Sequence, residues 1–315
     1  MTELSVRKMR FGFSDPAVPF AWNLHNPAFS SAANALSFLA IGFEKMIVAT
    51  VTEALPLIAD PAVAQEARAF MRQEAQHSLA HRQHVKALIA GHPALAQTFS
   101  EVIASYDRLV TTTPLKYRLA YTADVEATFT PSFKLMLDNA DTLFAGGDDR
   151  VASLFLWHFV EEIEHRSSAL LIYDAVVADR WYRLRVAPSV FAHAGAVMAQ
   201  AADDFNRLVP LTHRLVDATS MSGGPGWRKA VARYFPRTSG RLGLHVPDYG
   251  PVGKVYPQVR LREKLAAAYG VLRSQFPGHN PRYQDLPALA AEWLARYDAG
   301  QDVTRWYTTA HRGDS

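Results

Sequence analysis

Two short runs in this chain set a histidine three positions after a glutamate: Glu74-Ala75-Gln76-His77 and Glu162-Ile163-Glu164-His165. On an α-helix such residues lie about 60° apart around the axis and one turn up, so carboxylate and imidazole can reach one ion. A single Glu-x-x-His says little, because helices are rich in both residues. The partner carboxylates say more. Glu44 lies in the apolar run Gly42–Val48, before the first pair, and Glu126 lies before the second. The midpoint of Glu44 and Glu74 falls beside Asp60-Pro61, and that of Glu126 and Glu162 falls beside Gly146-Gly147. In an antiparallel helical hairpin, residues equidistant from the turn sit at equal height. Each hairpin thus levels one Glu with one Glu-x-x-His. Two hairpins packed together place four carboxylates and two imidazoles at one level of a four-helix bundle, the ligand set of a carboxylate-bridged dimetal site. Taken singly, each residue is most simply a paired structural group; it is the coincidence of six that points to metal.

Neighbouring residues add candidates. His158 lies four before Glu162 and seven before His165, on the same helical face, and reads either as a third imidazole ligand or as a core histidine. His81, seven after Glu74, is the rival for that role. Glu161 could hold a ligand histidine in its tautomer, whereas Glu164 reads as a solvated or ion-paired face. Arg166, Tyr121 and Tyr173 fall near the same level, where they could tune metals, with core packing the simpler role for the tyrosines. His84, His92, His193, His213, His245 and His279 have no partner at ligand spacing and read as surface or structural. Beyond the metal ligands no catalytic residue is singled out.

These residues need long helices, and apolar periodicity supplies them. The pattern predicts helices over 30–55, 62–90, 94–109, from Pro114 to about Leu143, from Asp149 to Val177, and from Trp181 to Ser220, with Asp60-Pro61 as a cap and restart. From Ser222 to Pro257 the chain is rich in Gly, Pro and Arg and reads as extended connection; two shorter helices follow, near 258–275 and 285–299. Strand-type alternation is nearly absent. The expected class is all-α, a bundle at 28–223 between an N-terminal extension, 1–27, and a basic C-terminal extension, 224–315. That extension carries 14 Lys+Arg against 7 Asp+Glu, in a chain of net charge +3. Its Trp227, Tyr234, Phe235, Tyr249, Tyr256 and Tyr269 supply area to dock on the bundle as a lid or packing element. No recognition motif accompanies the charge, so no nucleic-acid partner is expected.

The absence of cysteine excludes disulfides, thiolate zinc sites, iron–sulfur clusters and cysteine nucleophiles. The apolar run Ala33–Val51 is interrupted by Glu44 and Lys45, which favours burial in a bundle over a membrane span. With no signal-peptide pattern in Met1–Trp22, a cytoplasmic protein without a membrane partner is expected.

The stretches Phe43-Glu44, Glu74-Ala75-Gln76-His77-Ser78-Leu79-Ala80-His81 and Trp157-His158-Phe159-Val160-Glu161-Glu162-Ile163-Glu164-His165-Arg166 resemble the ferritin-like di-iron superfamily, and more closely the bacterial family of predicted metal-dependent hydrolases. The likeness covers most of the chain in helix order and is specific only in those stretches. Ordinary ferritin-like sites use two histidines. Di-iron arylamine N-oxygenases are similar to this sequence in adding a third, and Glu44, Glu74, His77, Glu126, His158, Glu162 and His165 match their seven-ligand pattern. The resemblance implies a ferritin-like four-helix bundle with additional helices, holding two iron ions, or manganese. It implies an oxygenase or oxidase that uses dioxygen on a small organic substrate entering near Glu44 and Glu126, with N-oxygenation as the specific form. An electron donor is needed that the sequence does not name, and a homodimer is compatible. The alternatives are a metal-dependent hydrolase working through metal-activated water and a non-enzymatic iron-binding protein. The long C-terminal extension argues against the last.

Overall fold

The chain folds as helices. The computed structural model describes residues 4–14, 17–222, 237 and 248–310, and among them no strand occurs. Helix α1 (Pro27–Ala54) starts where the Asn26 side chain accepts a hydrogen bond from the Phe29 amide, with Pro27 in the first turn. It is apolar on nearly every side and mostly buried; by length and composition it could cross a membrane, yet here it is the central core helix. After a 3₁₀ turn, Asp60 caps α2 (Pro61–Gly91), which packs back along α1. Next come α3 (Leu95–Thr112), α4 (Leu115–Leu137), the short α5 (Ala140–Leu143) and α6 (Asp149–Glu164), the last capped by Asp148. Helix α1 touches α2 and α4, and α6 touches the same two, which closes a four-helix ring.

Two expected helices are interrupted. The third ends at Leu137, where the Asn139 side chain donates to the Leu135 carbonyl and competes with the backbone ladder. The fourth stops at Glu164 and resumes as α7 (Ser168–Val176). There the Arg166 guanidinium donates to the Ile163 carbonyl at 2.6 Å, satisfying an acceptor that a continuous helix would have used. Helix α8 (Tyr182–Leu208) runs through Pro188 and ends before Pro210, followed by α9 (Leu211–Arg214) and a 3₁₀ turn at Ala218–Ser222.

Most of the extended connection expected over 222–257 lies outside the described residues, as do Trp227, Tyr234 and Phe235; its end, 248–257, carries no helix. Beyond it stand α10 (Leu261–Ser274), α11 (Ala288–Asp298) and the unanticipated α12 (Trp306–Ala310). Phe11, Phe20 and Trp22 near the N-terminus, Trp293 of α11 and Trp306 of α12 share one buried apolar cluster with Phe38, Phe155 and Phe159. A second cluster gathers Phe43, Phe70, Tyr106, Tyr121 and Tyr173. Tyr256 packs against the first cluster as expected of the extension, but Tyr269 stands out in solvent.

Candidate metal centre

Glu44 of α1, Glu74 and His77 of α2, Glu126 of α4, and His158 and Glu162 of α6 converge in the bundle with His165, which caps α6; none is more than 4% exposed. His165 Nε2 lies 3.0 Å from Glu162 Oε2, 3.2 Å from Glu74 Oε1 and 3.6 Å from Glu126 Oε2. His77 Nδ1 lies 3.4 Å from Glu162 Oε1 and 3.9 Å from Glu74 Oε2. His158 Nε2 is 2.8 Å from Glu162 Oε1 and 3.6 Å from Glu44 Oε1. The ligand atoms of Glu74, Glu126, Glu162 and His165 lie within 4.8 Å of one another; so do those of Glu44, Glu74 and His77, and those of His77, His158 and Glu162. Glu162 reaches both His77 and His165, at 3.4 and 3.0 Å, and Glu74 reaches the same two at 3.9 and 3.2 Å. Both carboxylates thus lie between a group framed by Glu126 and His165 and one framed by Glu44, His77 and His158.

The far nitrogen of each histidine is tied down. His77 Nε2 meets Glu161 Oε2 at 2.9 Å, where a carboxylate that holds the tautomer of a ligand histidine would sit. Arg7 donates to Glu161 at 2.9 Å and to both oxygens of Glu164, at 2.8 and 3.1 Å, so Glu164 is an ion-paired residue. Gln73 donates to Glu164 and to the Ser5 carbonyl, while its Oε1 faces His165 Nδ1 at 3.1 Å. Neither Arg7 nor Gln73 stood out in the sequence: Arg7 lies 154 residues from Glu161, and a glutamine beside a ligand has no distinguishing pattern.

His158 Nδ1 meets His81 Nε2 at 2.8 Å, His81 Nδ1 meets Ser37 Oγ at 2.9 Å, and Ser37 Oγ meets His84 Nδ1 at 2.9 Å. His81 has ligand atoms within 4.8 Å of those of Glu44 and His158, but it is turned onto His158 as its backing group. His84 is fully buried at the end of this chain, which removes the surface reading of that residue. The signal for it was present: His77, His81 and His84 follow one another at four and three positions along one helical face. Arg166 does not tune the centre, since its guanidinium turns to the carbonyls of Pro281, Arg282 and Gln284. Tyr173 donates to the Asp179 carbonyl and Tyr121 bonds His193, both as core groups. His245 lies outside the described residues.

Rings wall the centre: Phe70 lies 4.9 Å from His165, Trp157 4.9 Å from His77, and Phe133 6.0 Å from His158. In that dry setting both oxygens of Glu44 and of Glu74, Oε1 of Glu126 and Nδ1 of His77 have no hydrogen-bond partner among the described residues. Burial and then the neighbouring carboxylates push Glu44 and Glu74 well above the ordinary range. Burial and the charge of Glu162 push Glu126 up to about 8. Glu162 goes the other way: burial opposes its charge, but His165, His158 and His77 outweigh burial and hold it low. His77 and His165 are held high by carboxylates that outweigh their burial. Burial and then the charge of His77 push His158 down to about 4. Protons here stand where cations fit. Orphaned buried carboxylate oxygens cost several kcal/mol unless neutralised, and an oxygen–nitrogen donor set without thiolate suits iron or manganese.

A family model, that of the predicted metal-dependent hydrolases, matches residues 5–249, a span that includes Arg7, Ser37 and all seven candidate ligands. No curated protein and no solved structure matches the chain significantly. Since the matched span is well over half of the sequence and contains the whole centre, the chain belongs to the family of predicted metal-dependent hydrolases.

Proposed function

We propose that the chain is a ferritin-like dimetal enzyme that binds two iron ions and uses dioxygen on a small organic substrate. The donor set carries this reading: four carboxylates and three imidazoles, buried among aromatic rings, with carboxylate oxygens that no group among the described residues satisfies. Glu44, Glu74, His77, Glu126, His158, Glu162 and His165 would hold the ions, and a bound iron pair would supply the redox capacity that oxygen chemistry requires. Manganese fits the same donors. Glu161 keeps the proton of His77 on Nε2 and leaves Nδ1 free to ligate; Gln73 keeps that of His165 on Nδ1 and leaves Nε2 free. Phe70, Phe133 and Trp157 keep water away from the reacting region. The likeness to arylamine N-oxygenases rests on His158, and N-oxidation of an amine is the narrower form of the proposal.

The family's own description favours a second reading, hydrolysis of an ester or amide by metal-activated water. Against it stands the shortage of a general base. The carboxylates around the centre are candidate ligands, apart from Glu161, which His77 and Arg7 already occupy.

Anaerobic reconstitution with iron, followed by metal analysis and exposure to oxygen, decides between the two. Two irons per chain and an oxygen-dependent band in the near-ultraviolet or visible support the oxygenase. Zinc occupancy with ester turnover and no response to oxygen supports the hydrolase. A protein that retains no stoichiometric metal contradicts both.

A further inference from the structure

Helix α10 wears its large apolar side chains on the outside. Leu261, Leu265, Tyr269, Leu272 and Phe276 follow one another at four, four, three and four positions, one stripe along the helix and just past its end. All five are between 54 and 70% exposed. The inner face is made of small and polar groups. A Cβ on Gly270 would come within 2.7 Å of Pro131 of α4, Ser274 is fully buried, and Gln275 donates to the Asp124 carbonyl. Close backbone packing anchors the helix, so its apolar stripe is free of any structural task on that side. Arg262 and Arg273 run beside the stripe, and Arg260 stands exposed at its start. The one acid of the helix, Glu263, lies on the other side, in the groove against α4, with Arg262 4.0 Å away.

We propose that this face docks on an anionic phospholipid surface, with the stripe among the upper acyl chains and the arginines at the phosphates. Charge selects the occupant. An apolar stripe flanked by arginines and free of acids is the pattern of a helix lying in a membrane interface. A second copy of the chain would set Arg262 and Arg273 against like charges. A stripe of five residues also falls short of the roughly 20–30 residues per side that a stable protein interface uses. The expectation of no membrane partner rests on the Ala33–Val51 run and the Met1–Trp22 stretch, and neither bears on this helix. The surface also lies beyond residue 249, where the family match ends, and the inference is independent of the reaction at the metal centre.

Sedimentation of the full chain with vesicles tests the proposal, using phosphatidylcholine alone and a mixture with phosphatidylglycerol, each at low and high salt. The expected result is binding to the mixed vesicles, on the order of tenfold weaker to the neutral ones and weakened by salt. Leu265→Ser with Leu272→Ser, both at exposed positions, should lower binding on the order of tenfold or more, with helicity and metal content unchanged. Arg262→Glu with Arg273→Glu should remove the preference for anionic lipid. Absence of vesicle binding overturns the proposal, as does equal binding to both vesicle types. So does a lipid-free dimer, seen by analytical ultracentrifugation, that Leu272→Ser disperses.

Discussion

The two hairpins that frame the centre repeat one pattern, a lone Glu followed by Glu-x-x-His, yet the fold supports them unequally. His77 is backed by the carboxylate of Glu161, itself held by Arg7, whereas His165 is backed by the neutral amide of Gln73. A carboxylate behind an imidazole raises its basicity and fixes its ring more firmly than an amide does. His158 then joins the His77 side. An ion held by Glu44, His77 and His158 would meet two imidazoles, and one held by Glu126 and His165 would meet a single one. The repeat establishes a common level; partners distant in sequence make the two halves different.

Removing shared and unshared donors should show that difference at its largest. Glu162 adjoins both groups of donors, so Glu162→Ala should strip bound iron altogether, while Glu126→Ala should leave the His77 side loaded and roughly halve the iron measured by metal analysis. Equal, undiminished iron in both variants would remove the dimetal reading. Arg7→Ala leaves Glu161 without its cation in a buried site and should lower stability by about 3–5 kcal/mol in denaturant unfolding. The milder Glu161→Gln keeps the hydrogen bond and removes the charge. It should weaken metal at one position by about 10–100-fold and spare the other; a uniform loss would show that the halves are not independently supported.

Acidity sharpens the comparison in a different way. Glu44, Glu74 and Glu126 keep their protons unusually long without metal, Glu126 up to about 8. Loading divalent ions must expel those protons, so a weakly buffered titration should turn acidic and apparent affinity should climb with pH. The sign for stability follows from linkage. A carboxylate whose pKa is higher folded than unfolded favours folding below its ordinary value of about 4.3 and loses that advantage as pH rises through the folded value. His77 and His165, also raised, act in the same direction, and Glu162, held low, acts in the opposite one. The metal-free protein should therefore lose Tm relative to the loaded protein between about pH 5 and pH 8. A constant gap would contradict this.

How far the centre was legible follows from which of its parts are local. Six of the candidate ligands emerge from helical period and distance to a turn, both written along the chain; period puts His158 on the same face, the resemblance alone makes it the seventh, and Glu161 could be guessed from its place beside Glu162. Arg7, Gln73 and Ser37 could not, because only packing brings them within reach. The helix breaks at Asp138 and His165 were hidden for a related reason: each depends on a side chain that takes a backbone carbonyl, Asn139 in one case and Arg166 in the other. The outward stripe of α10 shows the limit of periodicity. The spacing of Leu261, Leu265, Tyr269 and Leu272 defines a face, but nothing in it says whether that face looks inward.

The finest difference between the halves is a matter of proton positions along His158, His81, Ser37 and His84. If His158 ligates through Nε2, its proton sits on Nδ1 and is donated to His81 Nε2. His81 Nδ1–H then donates to Ser37 Oγ, and the hydroxyl donates to His84 Nδ1, which leaves the His84 proton on Nε2. Without metal, His158 Nε2–H can donate to Glu162 at 2.8 Å, and every bond of the chain reverses, leaving the His84 proton on Nδ1. The reversal is energetically modest. His84 Nε2 is buried without a partner among the described residues, so placing a proton there costs about 1–3 kcal/mol. His84 would thus report on whether His158 ligates, without touching it. Nitrogen-15 spectra of histidine-labelled protein, metal-free and zinc-loaded, should show its proton moving from Nδ1 to Nε2, and Ser37→Ala should uncouple His84 while both ions stay bound. A His84 tautomer indifferent to metal would mean that His158 is a core histidine, and the two halves would then differ only in Glu161 and Gln73.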